Sequence, residues 1–201
     1  MFVQVIHGRA KDREGLRRQN ERWLQELKPG AEGFLGGTAG LSDDGTAVLI
    51  ARFGSEEAAR KNSARPEQDA WWRETSGLFD GEVHFHDSTD IELTREGGSD
   101  EAGFVQVIHG RAKDPDRVRE LDAQQEEAIG RYRPDVIGGV TAWHEGGLFT
   151  SVIYFTSEEE ARRGERTMTT DMPEESRNQF EEWMSLLDDV TFIDVRDPWL
   201  F

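Results

Sequence analysis

Two glutamines and two histidines stand at matching places in the chain, and their side chains could take part in chemistry. Gln4 and Gln106 interrupt apolar segments, and His7 and His109 each follow a glutamine by three residues. A buried amide is costly unless its donors and its acceptor find partners. We therefore expect each glutamine either to face a pocket, where it could hold a substrate carbonyl, or to tie neighbouring strands or a helix end.

The two histidines are candidate catalytic bases, because imidazole is suited to proton transfer near neutral pH. On an unbroken strand, however, His7 points to the face opposite Gln4, since successive side chains alternate between faces. Only a bulge in the strand would bring the two side chains together. The alternative is that His7 and His109 are hydrogen-bonded histidines at an interface between the two halves of the chain.

A second set of candidates could line a binding pocket for a flat ligand. Trp71 and Trp72 lie on a predicted helix that follows Pro66, and Trp183 lies near the corresponding place in the second half. Pockets are lined mainly by apolar side chains with few polar groups, although such aromatic residues are more often part of a core. Adjacent tryptophans cannot both face inward, so one of the pair is expected at the rim of a cleft or in a contact.

His84 and His86 lie on one face of a predicted strand, a spacing that can place two imidazoles on one metal ion. The second half of the chain has Thr191 and Ile193 at the matching positions, and the sequence suggests no third ligand nearby. We therefore predict no metal site.

The elements that position these residues come from a tandem duplication. Residues 2–12 read FVQVIHGRAKD, and residues 104–114 repeat the same letters. The match continues without a gap from Phe2–Arg60 to Phe104–Arg162, at an offset of 102 residues. Two copies of one unit in one chain can form an internal pseudo-dimer, in which each copy can keep or lose a site.

Each repeat has the pattern of a strand, a helix, two strands that form a hairpin, a helical region and a last strand. Asp12 and Asp114 can cap the first helix of each copy, and Ser55 and Ser157 can cap the next. The order βαββαβ is the ferredoxin-like arrangement, with helices on one face of an antiparallel sheet. Because the first strand is apolar at nearly every position, we expect both faces of the sheet to be buried.

The composition restricts the possible partners and location. The 201 residues carry a formal net charge of −17, so nucleic acid and an anionic membrane surface would be repelled. No span approaches the roughly 18 apolar residues that a membrane helix needs, and no secretory signal is recognisable. The chain has no cysteine, which is compatible with the reducing cytoplasm that we predict as its location.

Short motifs in both copies resemble a known family. Gly33–Gly36 (GFLG), followed by a hairpin and by Phe53–Ala58 (FGSEEA), resembles the antibiotic biosynthesis monooxygenase (ABM) family of the dimeric α+β barrel superfamily. The second copy carries a weaker version in Val136–Gly139 and Phe155–Glu160. The resemblance implies an α+β protein in which two ferredoxin-like repeats pack sheet to sheet as an intramolecular barrel.

The family includes cofactor-free oxygenases of aromatic polyketides, heme-degrading enzymes and proteins of unknown role. At the positions that the heme-degrading members use, the first copy has Gln4, Asn62 and Trp71, so the iron-ligating histidine is missing. The second copy has no histidine between His144 and Phe201. We therefore expect no cofactor, with Asn62 and the tryptophans as candidate ligand-binding residues.

The sequence thus predicts a cofactor-independent monooxygenase-like protein that acts on a small hydrophobic or aromatic substrate. In such a reaction the glutamines could orient the substrate or dioxygen, and a base would deprotonate the substrate. The alternative is a non-enzymatic binding or interaction protein, whose pockets would be filled by its own Trp and Phe side chains. Divergence between the copies, such as Trp23 against Gln125, indicates that at most one pocket is active.

We predict a first repeat at residues 1–87, a linker at 88–103 and a second repeat at 104–201. The last residues, Trp199–Phe201, are apolar, and exposure of these side chains would be costly. We expect this tail to dock on the body of the protein or on a second chain, so that self-association beyond the internal pseudo-dimer is a further possibility.

Overall fold

A computed structural model describes residues 1–170 and 173–201, and within this range the side chains at positions 127, 128, 168 and 169 are left out of the description. The chain forms two compact units, residues 1–91 together with 197–201, and residues 92–196. Among the described residues, no helix combines the length and the apolar character needed to cross a membrane.

The first unit contains four strands, three α-helices and a short terminal strand. Its first helix continues into a π-helical turn, Trp23–Leu27, and a 3₁₀ turn, Lys28–Gly30. The elements are β1 (Phe2–Ala10), α1 (Arg13–Arg22), β2 (Phe34–Leu41), β3 (Thr46–Phe53), α2 (Glu56–Ser63), α3 (Pro66–Ser76) and β4 (Phe79–Ser88), with β10 (Trp199–Leu200) from the end of the chain.

The second unit repeats this order after an additional strand that precedes it in the chain. A 3₁₀ turn at Glu145–Gly147 joins its hairpin. The elements are β5 (Asp90–Thr94), β6 (Phe104–Ala112), α4 (Pro115–Tyr132), β7 (Val136–Trp143), β8 (Leu148–Phe155), α5 (Glu158–Thr170), α6 (Glu174–Ser185) and β9 (Leu187–Val195).

The strand orders confirm the predicted α+β class with two ferredoxin-like repeats. One sheet has the order β10-β2-β3-β1-β4 and the other β5-β7-β8-β6-β9. The predicted caps form: the Asp12 carboxylate accepts from the Gly15 N–H at 2.9 Å, and the Asp114 carboxylate accepts from the Arg117 N–H at 3.1 Å. Such bonds satisfy N–H groups that have no partner inside the helix.

Residues on both faces of β1 are buried, as the uninterrupted apolar run predicts. Phe2 and Ile6 are 4% and 7% exposed on one face, while Val3 and Val5 are 1% and 0% exposed on the other. Because side chains of a strand alternate between faces, this burial shows that neither face of the strand is a solvated surface.

Part of the predicted linker and the apolar tail both form strands. Residues 90–94 of the predicted linker form β5, which joins the sheet of the second unit beside β7. The terminal residues form β10, in which Trp199 pairs with Ala39 and Leu200 with Thr38 of the first unit. A five-residue strand with alternating polar and apolar residues is too short to stand out in a polar segment.

Glycines in β2 and β7 allow these added segments to approach closely. A Cβ atom at Gly138 would lie 1.9 Å from the carbonyl oxygen of Gly97. At the equivalent end of the first unit, a Cβ atom at Gly37 would lie 2.5 Å from Cε2 of Phe201. Real Cβ atoms do not make contacts this short. At Gly138 the obstacle is a backbone atom, so the segment after β5 depends on glycine there, whereas at Gly37 the Phe201 ring would have to move.

Replacing Gly138 by Ala should displace the segment after β5, because the obstacle is a backbone atom that no side-chain rotation can move. We expect the free energy of unfolding to fall by about 2–4 kcal/mol, measured by urea denaturation. Gly130→Ala is the matched control, since no atom lies within 4 Å of its Cβ position on α4. That change should be neutral or stabilise by up to about 1 kcal/mol, and equal losses in both variants would contradict the packing argument.

Candidate functional site

A cavity of about 740 Å³ lies in the second unit, between the sheet and the helices that cover it. Its wall on the sheet side is formed by residues of β6 to β9, and α4, α5 and α6 form the wall on the helix side. β5 contributes Glu92, Leu93 and Thr94. The volume is in the range of sites that bind small organic ligands, about 300–1,000 Å³.

Most of the wall is apolar, and so is the rim of the cavity. Three side chains of the lining are large, apolar and exposed, namely Leu93 at 48%, Met184 at 39% and Phe192 at 53%. The lining also contains these less exposed aliphatic and aromatic side chains: Ile108, Val118, Ile129, Phe149, Phe155 and Phe180. This arrangement favours a hydrophobic ligand both on entry and when bound.

One polar group in the wall is built around Gln106. Its Nε2 donates to Oδ1 of Asp194 at 2.9 Å, across the β6–β9 pair in which the two residues are register partners. Arg162 of α5 is paired with the same carboxylate and, at 2.8 Å, with Glu165. These bonds fix the orientation of the Gln106 amide, which lines the cavity at a buried position.

A second polar pair lies on the neighbouring strands. The hydroxyl groups of Thr141 and Ser151 are 2.9 Å apart, and both residues line the cavity. Gln106 faces Ile153 on β8, so Ser151 is its diagonal neighbour, at a separation of about 7–8 Å. The sheet therefore presents two separated polar positions to a ligand, with apolar surface between them.

Asp122 of α4 is an ionisable group of the cavity wall whose acidity is strongly altered. Burial, together with the negative charge of Glu92, raises the pKa of its carboxyl from the ordinary 3.8 to about 7. The indole N–H of Trp183 opposes this rise of the pKa, although its geometry falls short of a full hydrogen bond. At neutral pH both protonation states of Asp122 are therefore populated, as acid–base catalysis requires.

Glu92 reaches the same cavity from β5 and is fixed by two partners. Its Oε1 accepts from Arg119 Nη1 at 3.0 Å, and its Oε2 accepts from the Trp143 indole N–H at 2.8 Å. The guanidinium of Arg119 also lies 4.5 Å from the centre of a Trp143 ring. The three side chains form one connected group on β5, α4 and β7.

In the first unit, a cluster of large side chains occupies the equivalent place. Trp23 contacts Phe34 and Phe201, with ring centres 5.0 and 6.1 Å apart, and Trp71 belongs to the same buried cluster. At the offset of 102 residues, six members of this cluster correspond to cavity-lining residues of the second unit. The pairs are Trp23 and Gln125, Leu24 and Glu126, Leu27 and Ile129, Ala31 and Arg133, Phe34 and Val136, and Leu49 and Ser151.

Comparison with solved structures places this arrangement in a known group of folds. The chain is similar to a candidate monooxygenase from Lactobacillus acidophilus NCFM, at 11% sequence identity and a TM-score of 0.71, over 100% of this chain and 99% of that one. A candidate monooxygenase from Fusobacterium nucleatum subsp. nucleatum ATCC 25586 has 7% sequence identity and a TM-score of 0.75, and the match covers 99% of this chain and 93% of that one. An anthrone oxidase-like protein has 12% sequence identity and a TM-score of 0.70, and the match covers 99% of this chain and 92% of that one.

The chain has a monooxygenase-like fold. The resemblance to ABM-type proteins that the sequence motifs predict is thereby confirmed for the fold. No protein-family profile and no curated protein matches the sequence. At such low sequence identity the fold is shared, whereas the reaction has to be argued from the site.

Of the predicted catalytic residues, the structure places Gln106 in the cavity wall. Gln4 forms the equivalent bond in the first unit, donating to Asp87 Oδ1 at 3.0 Å. Both glutamines therefore tie the first strand of the repeat to the last, and Gln106 in addition lines the cavity. This chain thus forms the same amide–carboxylate pair in both units.

The histidines lie on the opposite sheet face from the glutamines, because the β1 ladder is regular from Gln4 to His7 and the β6 ladder from Gln106 to His109. His7 Nε2 is 3.1 Å from His86 Nε2, and its ring also stacks on His84. Burial and these two neighbours lower the pKa of His7 to about 4. His109 Nδ1 lies 2.9 Å from Thr150 Oγ1. Within residues 1–170 and 173–201, no group of three or more His, Cys, Asp or Glu side chains is placed to hold a metal ion.

The predicted ligand-binding residues are divided between the two units. Trp183 lines the cavity. In the first unit, Asn62 accepts from Arg65 Nη1 at 2.9 Å, and the Trp71 indole donates to the Gln19 carbonyl at 2.9 Å. Trp72 packs against the Phe85 ring, with centres 5.2 Å apart. These three residues of the first unit are therefore engaged in contacts within the protein.

Asp122 and Glu92 were not among the residues that sequence reasoning selected. The signal for Asp122 lies in the repeat, since the buried Asn20 of the first copy becomes an acid in the second. The change from Leu49 to Ser151 is a similar signal. Glu92 has no such signal, because it lies in a polar segment whose pairing with β7 is decided by the tertiary structure.

The altered pKa of Asp122 predicts a pH-dependent stability. In the unfolded chain the carboxyl ionises near pH 4, whereas in the folded protein it keeps its proton to about pH 7. The folded state therefore loses stability as the pH rises through this interval. Asp122→Asn cannot ionise and does not lose stability in this way. The difference between its free energy of unfolding and that of the wild type should therefore rise in its favour by about 2–4 kcal/mol from pH 4 to pH 7.

Urea denaturation at several pH values measures this difference. Glu126→Gln is the control, because Glu126 lies on the same helix and lines the same cavity but is exposed. Its stability relative to the wild type should not change over the same interval. A difference between Asp122→Asn and the wild type that is independent of pH would show that Asp122 ionises normally.

Proposed function

We propose that the second unit binds a small, neutral, mainly aromatic molecule in its cavity and oxygenates it without a cofactor. The observation that carries this proposal is the coexistence, in one apolar cavity, of the carboxyl group of Asp122 and the oriented amide of Gln106. The monooxygenase-like fold of the chain is consistent with this activity.

Asp122 is the proposed base. Its carboxylate removes a proton from an activated CH₂ group of the substrate, and the resulting carbanion reduces dioxygen to a carbon-bound peroxide. Asp122 returns the proton to the peroxide. Loss of water then removes the second hydrogen of the same carbon as a proton and breaks the O–O bond, and the C–H electron pair forms the C=O bond. The overall reaction, R₂CH₂ + O₂ → R₂C=O + H₂O, is balanced without any external reductant, so the substrate itself supplies the electrons.

A pKa near 7 suits this role, because a base works best when its pKa lies near the operating pH. A carboxyl with the ordinary pKa would be ionised but too weak a base to remove a proton from carbon. We place the base at Asp122 and not at His109, whose ring hydrogen-bonds on the other face of the sheet. Gln106 is the proposed orienting residue for a polar group of the substrate.

The charges around the cavity support a neutral substrate over an anionic one. Each arginine of the lining is paired with a carboxylate: Arg119 with Glu92, Arg133 with Asp135 and Arg162 with Asp194. A carboxylate or phosphate on the ligand would therefore have to compete with an existing ion pair. A phenol or a ketone avoids this competition and can use the polar pairs on the sheet.

Filling the cavity tests the location of the site. Gln125→Trp introduces the side chain that the first unit has at Trp23, so it should fit the fold while occupying the binding space. We expect at least a tenfold loss of affinity for an anthrone or a flavonoid, measured by thermal shift and by calorimetric titration. Dioxygen uptake with the anthrone should fall in parallel.

Gln124→Trp is the matched control, because Gln124 is the exposed neighbour of Gln125 on the same helix. It should bind like the wild type. Binding and uptake that persist in Gln125→Trp, with circular dichroism showing an intact fold, would mean that this cavity is not the site.

The two glutamines provide a second test, since they occupy equivalent positions but only Gln106 lines the cavity. Gln106→Leu should reduce kcat/KM for dioxygen uptake by about tenfold or more. Gln4→Leu should have a much smaller effect, because its site lies in the other unit. Equal losses would indicate that both substitutions act through the strand pairing and not through the substrate.

A further inference from the structure

The segment that connects the two repeats brings an anchored carboxylate to the proposed site. Glu92 projects from β5 into the cavity wall and is held by the Arg119 guanidinium and the Trp143 indole, at 3.0 and 2.8 Å. Both anchors are themselves fixed, since Arg119 lies over the Trp143 ring. A carboxylate with two such partners is held in one place, whereas a surface glutamate is not.

The charged groups around Asp122 come from several elements, and most of them form ion pairs with groups of opposite charge. Arg162 is paired with Glu165 and Asp194, and Arg133 with Asp135. Glu126 is exposed on α4. Besides burial, the negative charge of Glu92 raises the pKa of Asp122. The charged residues of the lining are, in chain order, Glu92, Arg119, Asp122, Glu126, Arg133, Arg162, Glu165 and Asp194.

We propose that Glu92 is a positioning residue of the second unit, which holds a fixed negative charge beside Asp122 and so keeps Asp122 ready to exchange a proton. This inference rests on the proposed role of Asp122 as the base. It assigns a role to a residue outside the two repeats. Glu92, whose charge favours the protonated form of Asp122, belongs to the segment that connects them.

The first unit supports this assignment by contrast. The position of Asp122 is taken there by Asn20, which cannot ionise, and the position of Arg119 by Arg17. Arg17 is 3.6 Å from Asp197 of the terminal segment, whose side chain is 82% exposed. The added segment thus carries a carboxylate in each unit, Asp197 in the first and Glu92 in the second. Glu92 is the tightly anchored one, and it lies in the unit that has an acid, Asp122, at the position of Asn20.

The experiment measures the pKa of Asp122 directly, by ¹³C NMR titration of the labelled side-chain carboxyl groups. The Asp122 signal is assigned from its absence in Asp122→Asn. Glu92→Gln removes the charge but keeps the shape, and its amide oxygen can still accept from the Trp143 indole. We expect the titration midpoint of Asp122 to fall by about one pH unit. The low-pH side of the pH–rate profile for dioxygen uptake should shift by the same amount.

Two further variants separate charge from structure. Glu92→Asp retains the charge and should restore most of the wild-type midpoint. Arg119→Gln removes the cation that partly compensates Glu92, so the Asp122 midpoint should rise, in the direction opposite to Glu92→Gln. A merely structural role would not give shifts of opposite sign for the two members of one ion pair. This second variant also keeps the test valid should Glu92→Gln fold poorly.

Glu96→Gln is the matched control, since Glu96 is an exposed glutamate of the same segment. It removes one negative charge from the segment and should leave the Asp122 midpoint unchanged. An unchanged midpoint in Glu92→Gln, or an equal fall in Glu96→Gln, would overturn the inference. A shifted midpoint in a protein that takes up no dioxygen would refute the proposed reaction while supporting the role of Glu92.

Discussion

The close approach of an added segment to glycines at the sheet edge is the constraint on which both units depend. A Cβ atom at Gly138 would collide with the Gly97 carbonyl, and one at Gly37 would collide with the Phe201 ring where it lies, so each segment packs against a glycine. These segments also determine what each unit contains. Phe201 completes the aromatic cluster of the first unit, whereas β5 brings Glu92 to the cavity of the second.

The same backbone arrangement therefore has two different interiors. In the first unit Trp23 and its neighbours bury large apolar surfaces, which stabilises the fold. In the second unit smaller or polar residues such as Gln125 and Ser151 stand at equivalent positions, and the space remains open. An open cavity forfeits packing contacts, so the second unit combines a less complete core with room for a ligand. The Gln4–Asp87 and Gln106–Asp194 pairs are common to both units.

Electrostatics distinguishes Asp122 from the other acids in the cavity. Asp194 and Glu165 face Arg162, and their charges are compensated. Asp122 is desolvated and lies near the negative charge of Glu92, and both effects favour the protonated form. A single protonatable group among paired charges can move one proton without reorganising its neighbours.

The sequence by itself determined the repeat, the βαββαβ order and the helix caps, because these depend on local periodicity and on side chains a few residues apart. It also indicated, through Trp23 and Gln125, that the copies had diverged. Only the tertiary structure decided that the second unit contains an open cavity, that residues 90–94 form a strand, and that the pKa of Asp122 is raised to about 7. These properties depend on desolvation and packing among side chains far apart in the chain, which no local pattern records.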